Sequence, residues 1–350
     1  MKIFFPEPGE VEQYVHNQVG PHMSVHARFY DRLRVFLHQE YQTSDPDEAD
    51  YVFLPINLIL FQFCNLQNVV WENTLPDPGP TIERTAQRFP GKRLLLFGSG
   101  DFGQRKRSVW ESKASNRAYP NLYEGLDERI TLIAFESTDD LLPCDIGAIP
   151  YVTQTAPAKM PLLHALFRRR VDPPDRDLLY SFAGTLAYQE LPRDHVRGGK
   201  LLDIAGRGPD WFVGTAKDAR KRYGKVAGSD IGMLRRSTFT LCPAGFGRWS
   251  FRLFQAPVFG SIPVLLADGY RLPFAGQIPW QNFSIVLAES NLADISGILR
   301  EIPDERIEEL QAGMKANRHH FFEQGAHQLI ANRLASMSLD SQGKAAMRAS

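Results

Sequence analysis

The chain has 350 residues, of which 43% are apolar and 23% charged, and its 40 basic and 40 acidic side chains cancel at neutral pH. This length suits two domains, and zero net charge provides no global attraction to nucleic acid or to an anionic membrane. Cys64, Cys144 and Cys242 form no C-x-x-C pair, so we expect reduced thiols rather than a disulfide framework or a zinc site.

The first element is the apolar run MKIFF, a predicted strand that ends at Pro6 and is too short for a signal peptide or anchor. We therefore expect a cytoplasmic protein with at most peripheral membrane association. His16, His22 and His26 follow, six and four residues apart. No carboxylate or cysteine completes a metal set there, so we expect solvated histidines or histidines that line an acceptor site.

Short apolar strands and helical stretches alternate through the rest of the first half, which favours a parallel α/β sheet. The pattern predicts helices over residues 24–41 and 81–89 and strands over residues 51–61, 93–97, 130–135 and 147–152. The D-P-D of residues 45–47 predicts a capped turn rather than a metal-binding pair, because Pro46 and the acids after it suit a helical start.

Gly98, Gly100 and Gly103 follow the predicted strand at 93–97 with the G-x-G-x-x-G spacing of dinucleotide-binding turns. The next stretch is largely polar, and the acid that ends the following strand, Glu136, lies 33 residues beyond Gly103 rather than about 20. A dinucleotide-dependent oxidoreductase therefore stays as an alternative with weak support. A glycine turn at a strand's carboxyl end would still place Asp101 at the mouth of a cleft.

Residues 165–176 combine an arginine cluster with a Pro-Pro pair, which indicates a domain boundary. The alternation then restarts, with predicted strands over 178–184, 237–243 and 261–268 and helical patterns over 193–206, 248–260 and 297–335. The last dozen residues suggest a loose tail. We expect one domain over 1–170, a second over 176–320, and a C-terminal segment, 321–350, that either packs back on the first domain or remains a tail.

The stretch from 237 to 274 predicts a strand, a glycine turn, a helix and a strand. Gly245 and Gly247 let the backbone turn tightly, and Ser250 falls in the first helical turn, where free N–H groups favour an anion. Arg252 adds a charge suited to phosphate. Together these residues suit a nucleotide diphosphate without a metal. The alternative is a plain loop in which Ser250 caps the helix and Arg252 pairs with an acid.

The residues from Ser237 to Val264, S-x-F-x-L-C-P-x-G-x-x-x-W-S-F-R-L-F-x-A-x-x-x-G-x-I-P-V, resemble the signature of the exostosin-like glycosyltransferases, glycosyltransferase family 47. DGYRLPF at 268–274, IPWQNFSIVLAES at 278–290 and LLYSFAGTLAYQELPRDHVR at 178–197 are similar to the family pattern as well. DPDEADYVFLP, FGSGDF and CDIGAIPY in the first half agree more loosely.

This resemblance implies an α/β fold of the GT-B type, in which two Rossmann-like domains face each other across a cleft. It also implies metal-independent, inverting transfer of a sugar from a nucleotide sugar, with UDP favoured, to a glycan hydroxyl, and no further cofactor. The expected donor-binding residues are Gly184, Arg193, Arg197, Gly245, Phe246, Gly247, Ser250, Arg252 and Gln255. We prefer Arg193 over Arg197 because it is nearer in sequence to the turn at Gly184.

Inversion requires a base beside the acceptor hydroxyl, for which Asp101 is the first candidate and Glu136 the second. Gln255 departs from the family, which usually has glutamate there. Its side chain can still hydrogen-bond a sugar hydroxyl, but the change keeps open a catalytically inactive GT-B protein that binds nucleotides or sugars.

Overall fold

The computed structural model describes residues 1–6, 24–57, 79–98, 126, 129–135, 144–149, 176–187, 193–245, 250–266 and 268–349. The chain divides into two compact units, one formed by Met1–Ala148 with Ala326–Ser350 and the other by Ile149–Gly325. The linker predicted at 165–176 lies outside the described residues and stays a prediction. No helix in the described ranges is long and apolar enough to cross a membrane.

The first unit is built on a six-stranded sheet in the order β2-β1-β3-β4-β5-β6, and its strands pair in parallel. Its elements are β1 (Ile3–Phe4), α1 (Ser24–Tyr41), β2 (Gln42–Thr43), β3 (Tyr51–Asn57), α2 (Gly79–Arg88), β4 (Arg93–Gly98), β5 (Ile130–Ala134) and β6 (Ile146–Gly147). Strand β6 begins one residue before the predicted strand at 147–152 and ends at Gly147, so that prediction was wrong in extent.

Aromatic side chains fill the core beneath α1. The Phe29 ring stacks on Phe97 of β4 at 5.5 Å between centroids and meets Phe135, which follows β5, edge-on at 4.6 Å. All three side chains are fully buried. The continuous apolar runs of β4 and β5 therefore reflect a parallel sheet that is covered on its faces.

The second unit has a sheet in the order β12-β11-β10-β7-β9-β8, in which only the edge pair of β8 and β9 is antiparallel among the described pairings. Its strands are β7 (Leu178–Ala183), β8 (Gly206–Arg207), β9 (Trp211–Gly214), β10 (Ser237–Pro243), β11 (Ile262–Leu266) and β12 (Ile285–Leu287). Its helices are α3 (Leu201–Asp203), α4 (Ala216–Tyr223), α5 (Asp230–Arg236), α6 (Phe251–Phe259), α7 (Ile295–Arg300) and α8 (Asp304–Asn317).

The last helix, α9 (Glu323–Ala349), lies mostly in the first unit. Tyr51 at the start of β3 donates its hydroxyl hydrogen bond to the carbonyl of Leu334 at 2.9 Å, and Ser338 donates to Asp50 at 2.7 Å. The loose tail predicted for the last dozen residues was wrong, because α9 continues to Ala349. The alanines, lysine, methionine and arginine of that stretch are good helix formers. The two units, each a parallel-rich α/β sheet with helices, confirm the predicted fold class of two Rossmann-like domains.

Candidate functional site

The second sheet reverses its strand order between β7 and β10. The chain leaves β7 for β9 on one side and returns to place β10 on the other side. Open α/β sheets bind ligands at the carboxyl ends of the strands at such a switch point. Gly184 directly follows β7, and Gly245 follows β10 by two residues. Both predicted glycine turns therefore belong to the switch point of this sheet.

Ser250 starts α6, the helix that follows β10. Its buried side chain caps the helix by accepting a hydrogen bond from the backbone N–H of Arg252 at 3.3 Å. The helix ends at Gly260, whose φ of 85° is in the left-handed region that glycine tolerates. Capping satisfies one first-turn N–H group, and the helix N-terminus still favours a negative charge.

Arg252 reaches from α6 across to the end of β7. Its guanidinium donates to the carbonyl of Ala183 and lies 4.8 Å from the centre of the Phe182 ring. The nearest described acid, Asp230, is 4.0 Å away and is 56% exposed, whereas the Arg252 side chain is 20% exposed. An ion pair of this length with an exposed carboxylate is weak. The positive charge of Arg252 is therefore only weakly neutralised by Asp230 and can interact with a ligand.

Gly184 packs closely against the guanidinium of Arg252. A Cβ atom on Gly184 would lie 3.0 Å from Nη2 of Arg252 and 3.1 Å from Cζ of Phe182. The N–H of Gly184 donates to the carbonyl of Gly214 at the end of β9 at 3.0 Å, which fixes the turn. A side chain here would crowd Arg252 and Phe182, which would have to shift by a few tenths of an ångström.

Arg197 is the second cation at this turn. It lies in a short π-helical segment, Val196–Lys200, is buried, and donates from Nε to the carbonyl of Thr185 at 3.1 Å. Its guanidinium is 5.6 Å from the centre of the same Phe182 ring. Arg193, preferred from the sequence, is exposed. Arg197 is therefore the residue that the geometry favours, because it joins Arg252 beside Phe182.

The same carboxyl edge of the sheet, near the ends of β11 and β12, has a charged pair that the sequence did not predict. Lys200 Nζ is 3.6 Å from Oε2 of Glu289, and the N–H of Glu289 donates to Asp268 at 3.2 Å. The pKa of Glu289 is raised, mainly by burial and also by the charge of Asp268, whereas Lys200 opposes the shift. Glu289 and Asp268 each follow a strand by two residues, so a search of all strand ends would have found them.

The other predicted residues divide into those the structure describes and those it does not. Gln255 is half-buried on α6, and Gly245 is buried. Phe246, Gly247, Asp101 and Glu136 lie outside the described residues, as do His16, His22 and the His26 side chain. Their predicted roles stay predictions.

The D-P-D segment is a capped turn, as predicted. Asp45 accepts a hydrogen bond from the N–H of Asp47 at 2.8 Å and caps the 3-10 turn Pro46–Glu48. A second carboxylate, Asp145 in the CDIGAIPY stretch, is buried and accepts from the N–H of Leu132 at 3.0 Å. Both acids therefore stabilise local backbone.

Two residues of the second-half motifs are structural. Trp280 of the IPWQNF stretch is buried, donates from its indole to the carbonyl of Pro273 at 2.8 Å and packs against Phe283. Cys242 in β10 is also buried, and burial raises the pKa of its thiol to about 12. Such a thiol stays protonated and unreactive.

Comparison with known proteins shows the family of this chain. The model of the exostosin GT47 domain matches residues 107–302, more than half of the chain. The chain is 42% identical over 314 residues to probable beta-1,4-xylosyltransferase IRX10 of Arabidopsis thaliana, covering 84% of this chain and 70% of that protein. It is 44% identical over 298 residues to probable glucuronosyltransferase GUT1 of rice, Oryza sativa subsp. japonica, covering 80% and 65%.

A third relative, probable glucuronosyltransferase Os01g0926600 of the same rice, is 28% identical over 290 residues, which cover 77% of this chain and 63% of that protein. The chain thus spans about two thirds of the length of these curated relatives. On the family model and the Arabidopsis relative, the chain belongs to the exostosin family, glycosyltransferase family 47.

Proposed function

We propose that this protein is a glycosyltransferase that moves a sugar from a nucleotide-diphosphate sugar, with UDP favoured, to a glycan hydroxyl. The observation that carries the proposal is the pairing of Arg252 and Arg197 beside Phe182 at the switch point of the second sheet. Relatives named xylosyltransferase and glucuronosyltransferase support this activity and make UDP-xylose and UDP-glucuronate the first donors to test.

The two arginines would stabilise the leaving group. When the bond between the sugar and the diphosphate breaks, negative charge develops on the departing phosphate oxygen. Cationic side chains and N–H groups already in place lower the energy of that transition state. Arg252, Arg197 and the N-terminus of α6 provide positive charge for this purpose, which supports departure of the diphosphate without a metal ion.

Inversion would follow from direct attack by an acceptor hydroxyl on the anomeric carbon. The hydroxyl oxygen forms the new bond as the diphosphate leaves, and a base takes the hydroxyl proton. We propose Asp101 for this role and Glu136 as the second candidate. In sequence both come shortly after strands of the first sheet, β4 and β5, and α/β sheets bind ligands at the carboxyl ends of their strands.

Gln255 supports a second candidate, a protein that binds a nucleotide sugar without turning it over. Its amide can hydrogen-bond a hydroxyl, but it lacks the charge of the glutamate usual in the family. The test of function therefore has to separate binding from transfer.

The experiment measures UDP release from UDP-xylose and UDP-glucuronate with a xylo-oligosaccharide acceptor, in buffer containing EDTA. We expect release that depends on acceptor and persists in EDTA, with a β-linked product by NMR from the α-linked donor. Release only after a divalent metal is added would refute metal independence. UDP binding without release would favour the inactive protein, and a melting shift with NAD or FAD but not UDP would favour an oxidoreductase.

A further inference from the structure

A cavity of about 540 Å³ lies beside the turn at Gly184, between the end of β7, the β8–β9 pair and α4. Leu186, three residues beyond β7, and Gly214, at the end of β9, line its wall. Gly214 also accepts the hydrogen bond that fixes Gly184. The cavity therefore adjoins the sheet edge of the candidate site, and its volume is in the range of small-ligand pockets, about 300–1,000 Å³.

Three cations line this cavity, which we call the α4 pocket. Arg207 lies in β8, and Lys221 and Arg222 lie on α4; all three side chains are exposed. Within the described ranges, no carboxylate lies within 4.0 Å of Arg207 or Lys221 to form an ion pair. The guanidinium of Arg222 lies 5.0 Å from the centre of the Tyr223 ring.

One acid, Asp218, shares the α4 pocket but is committed to the helix terminus. Its carboxylate accepts hydrogen bonds from both the N–H and the hydroxyl of Thr215 in a capping box. The bond from the Thr215 hydroxyl is the main reason why the pKa of Asp218 is lowered. One carboxylate against three cations leaves the α4 pocket positively charged.

The positive charge continues outside the cavity along α4. Residues 216–225, AKDARKRYGK, contain five cations and one acid, although the whole chain has no net charge. Lys217 and Arg220 of this segment are exposed. A long anion that enters the pocket would therefore meet further cations along the helix.

We propose that the α4 pocket binds an anionic oligosaccharide, a glycan whose sugar units carry carboxylate groups. This rests on the proposed function, since it assumes that the protein acts on glycans. The cations suit carboxylates, and the apolar wall formed by Leu186 and Phe212 suits the C–H faces of sugar rings. The concave site holds a ligand of small-molecule width, which suits one glycan chain rather than a flat bilayer surface. The pocket holds the glycan close to the switch point at Gly184.

The test is calorimetric titration with tetragalacturonate and, as the neutral probe, xylotetraose, with no donor present. We expect the wild type to bind tetragalacturonate at least about tenfold more tightly than xylotetraose and to lose that preference in high salt. The double variant Arg207→Gln/Lys221→Gln should bind tetragalacturonate roughly tenfold more weakly. The control Arg306→Gln/Lys315→Gln removes the same charge from exposed positions on α8 and should stay within about twofold of the wild type.

Equal binding of both oligosaccharides, or unchanged binding by the α4-pocket variant, would overturn the proposal. So would binding to phosphatidylglycerol vesicles that the variant loses, together with no binding of tetragalacturonate. Because the titration needs neither donor nor turnover, a lack of UDP release would count against the proposed function and not against this pocket.

Discussion

Arg176 and Arg252 both donate to backbone carbonyls of the second unit, but at opposite edges of its sheet. Arg176 precedes β7 by two residues and donates to the carbonyls of Ser237 at 2.7 Å, Thr238 at 3.4 Å and Gly260. Burial lowers its pKa to about 10. Its guanidinium is satisfied by the protein's own backbone, so it ties β10 and the end of α6 to the start of β7.

The first unit repeats this arrangement at its own amino edge. Arg129 directly precedes β5 and donates to the carbonyls of Ala86, Phe89 and Lys92. At the carboxyl edge of the second sheet, by contrast, Arg252 and Arg197 share one ring near a helix N-terminus. The comparison shows that the arginines at the amino edges bind backbone on neighbouring elements and stabilise the fold, whereas we propose ligand binding for the two at the carboxyl edge.

The largest effect is expected for Arg252→Ala, which tests whether an arginine at the carboxyl edge acts on the donor. Arg252 is proposed to stabilise the leaving diphosphate, so its removal should lower kcat/KM for the donor by at least about 100-fold. Melting should change by only a few degrees, because one hydrogen bond and one ring contact are lost. Arg252→Lys keeps the charge without the planar guanidinium and should recover part of the rate. Unchanged turnover in Arg252→Ala would remove this residue from the donor site.

The matching change at the amino edge is Arg176→Met. It removes the Arg176 hydrogen bonds to the carbonyls of Ser237, Thr238 and Gly260, of which Thr238 keeps the bond from the Ser261 hydroxyl. We expect the free energy of unfolding to fall by about 2–4 kcal/mol. Urea denaturation measures this, and activity per folded molecule should stay at the wild-type level. Arg300→Met, which breaks the exposed ion pair with Asp210, is the control and should lower the free energy of unfolding much less than Arg176→Met does. Similar losses in both variants would refute the stabilising role of Arg176.

Arg197→Gln tests whether the second cation beside Phe182 contributes to sugar transfer. The amide keeps a donor near the Thr185 carbonyl but removes the charge, so we expect roughly a tenfold loss in kcat/KM. Arg193→Gln, four residues earlier and exposed, is the matched control and should retain full activity. The reverse result would restore Arg193 as the donor arginine.

The smallest expected effect is at Glu289. A half-buried carboxylate at a strand end beside Lys200 is suited to accept hydrogen bonds from donor hydroxyls. Glu289→Gln should raise KM for the donor by roughly two- to fivefold with little change in kcat, because the neutral amide accepts more weakly. Steady-state kinetics should show no change for Glu309→Gln, an exposed acid on α8. An unchanged KM in Glu289→Gln would leave this carboxylate with a structural role only.

The sequence predicts many of the parallel strands of both units, because continuous apolar runs such as LLLF of β4 and IPVLL of β11 are typical of strands that are buried on both faces. It did not predict β9 and α4. They lie in a stretch rich in glycine and charged residues, in which apolar residues do not recur with a clear helical or strand spacing. From the sequence we prefer Arg193 to Arg197 because Arg193 is nearer to Gly184 along the chain, whereas the geometry favours Arg197 because it lies beside Phe182. Both stay predictions.

The pairing of Lys200 with Glu289 joins residues that are remote in sequence, and only the folded sheet edge brings them together. The contacts of the motif residues also depend on parts of the chain that are remote in sequence. Spacing identified Ser250 and Arg252 as belonging to a strand–turn–helix unit, but the contact of Arg252 with Ala183 and Phe182 depends on how β7 and β10 lie side by side.

The most direct measurement of the central claim is calorimetric titration of UDP into the wild type, Arg252→Ala and Arg306→Gln in buffer containing EDTA. We predict that the wild type and Arg306→Gln bind UDP with the same affinity, and that Arg252→Ala binds at least about tenfold more weakly. Binding of UDP by Arg252→Ala as tightly as by the wild type would contradict the assignment of the donor diphosphate to this edge of the second sheet.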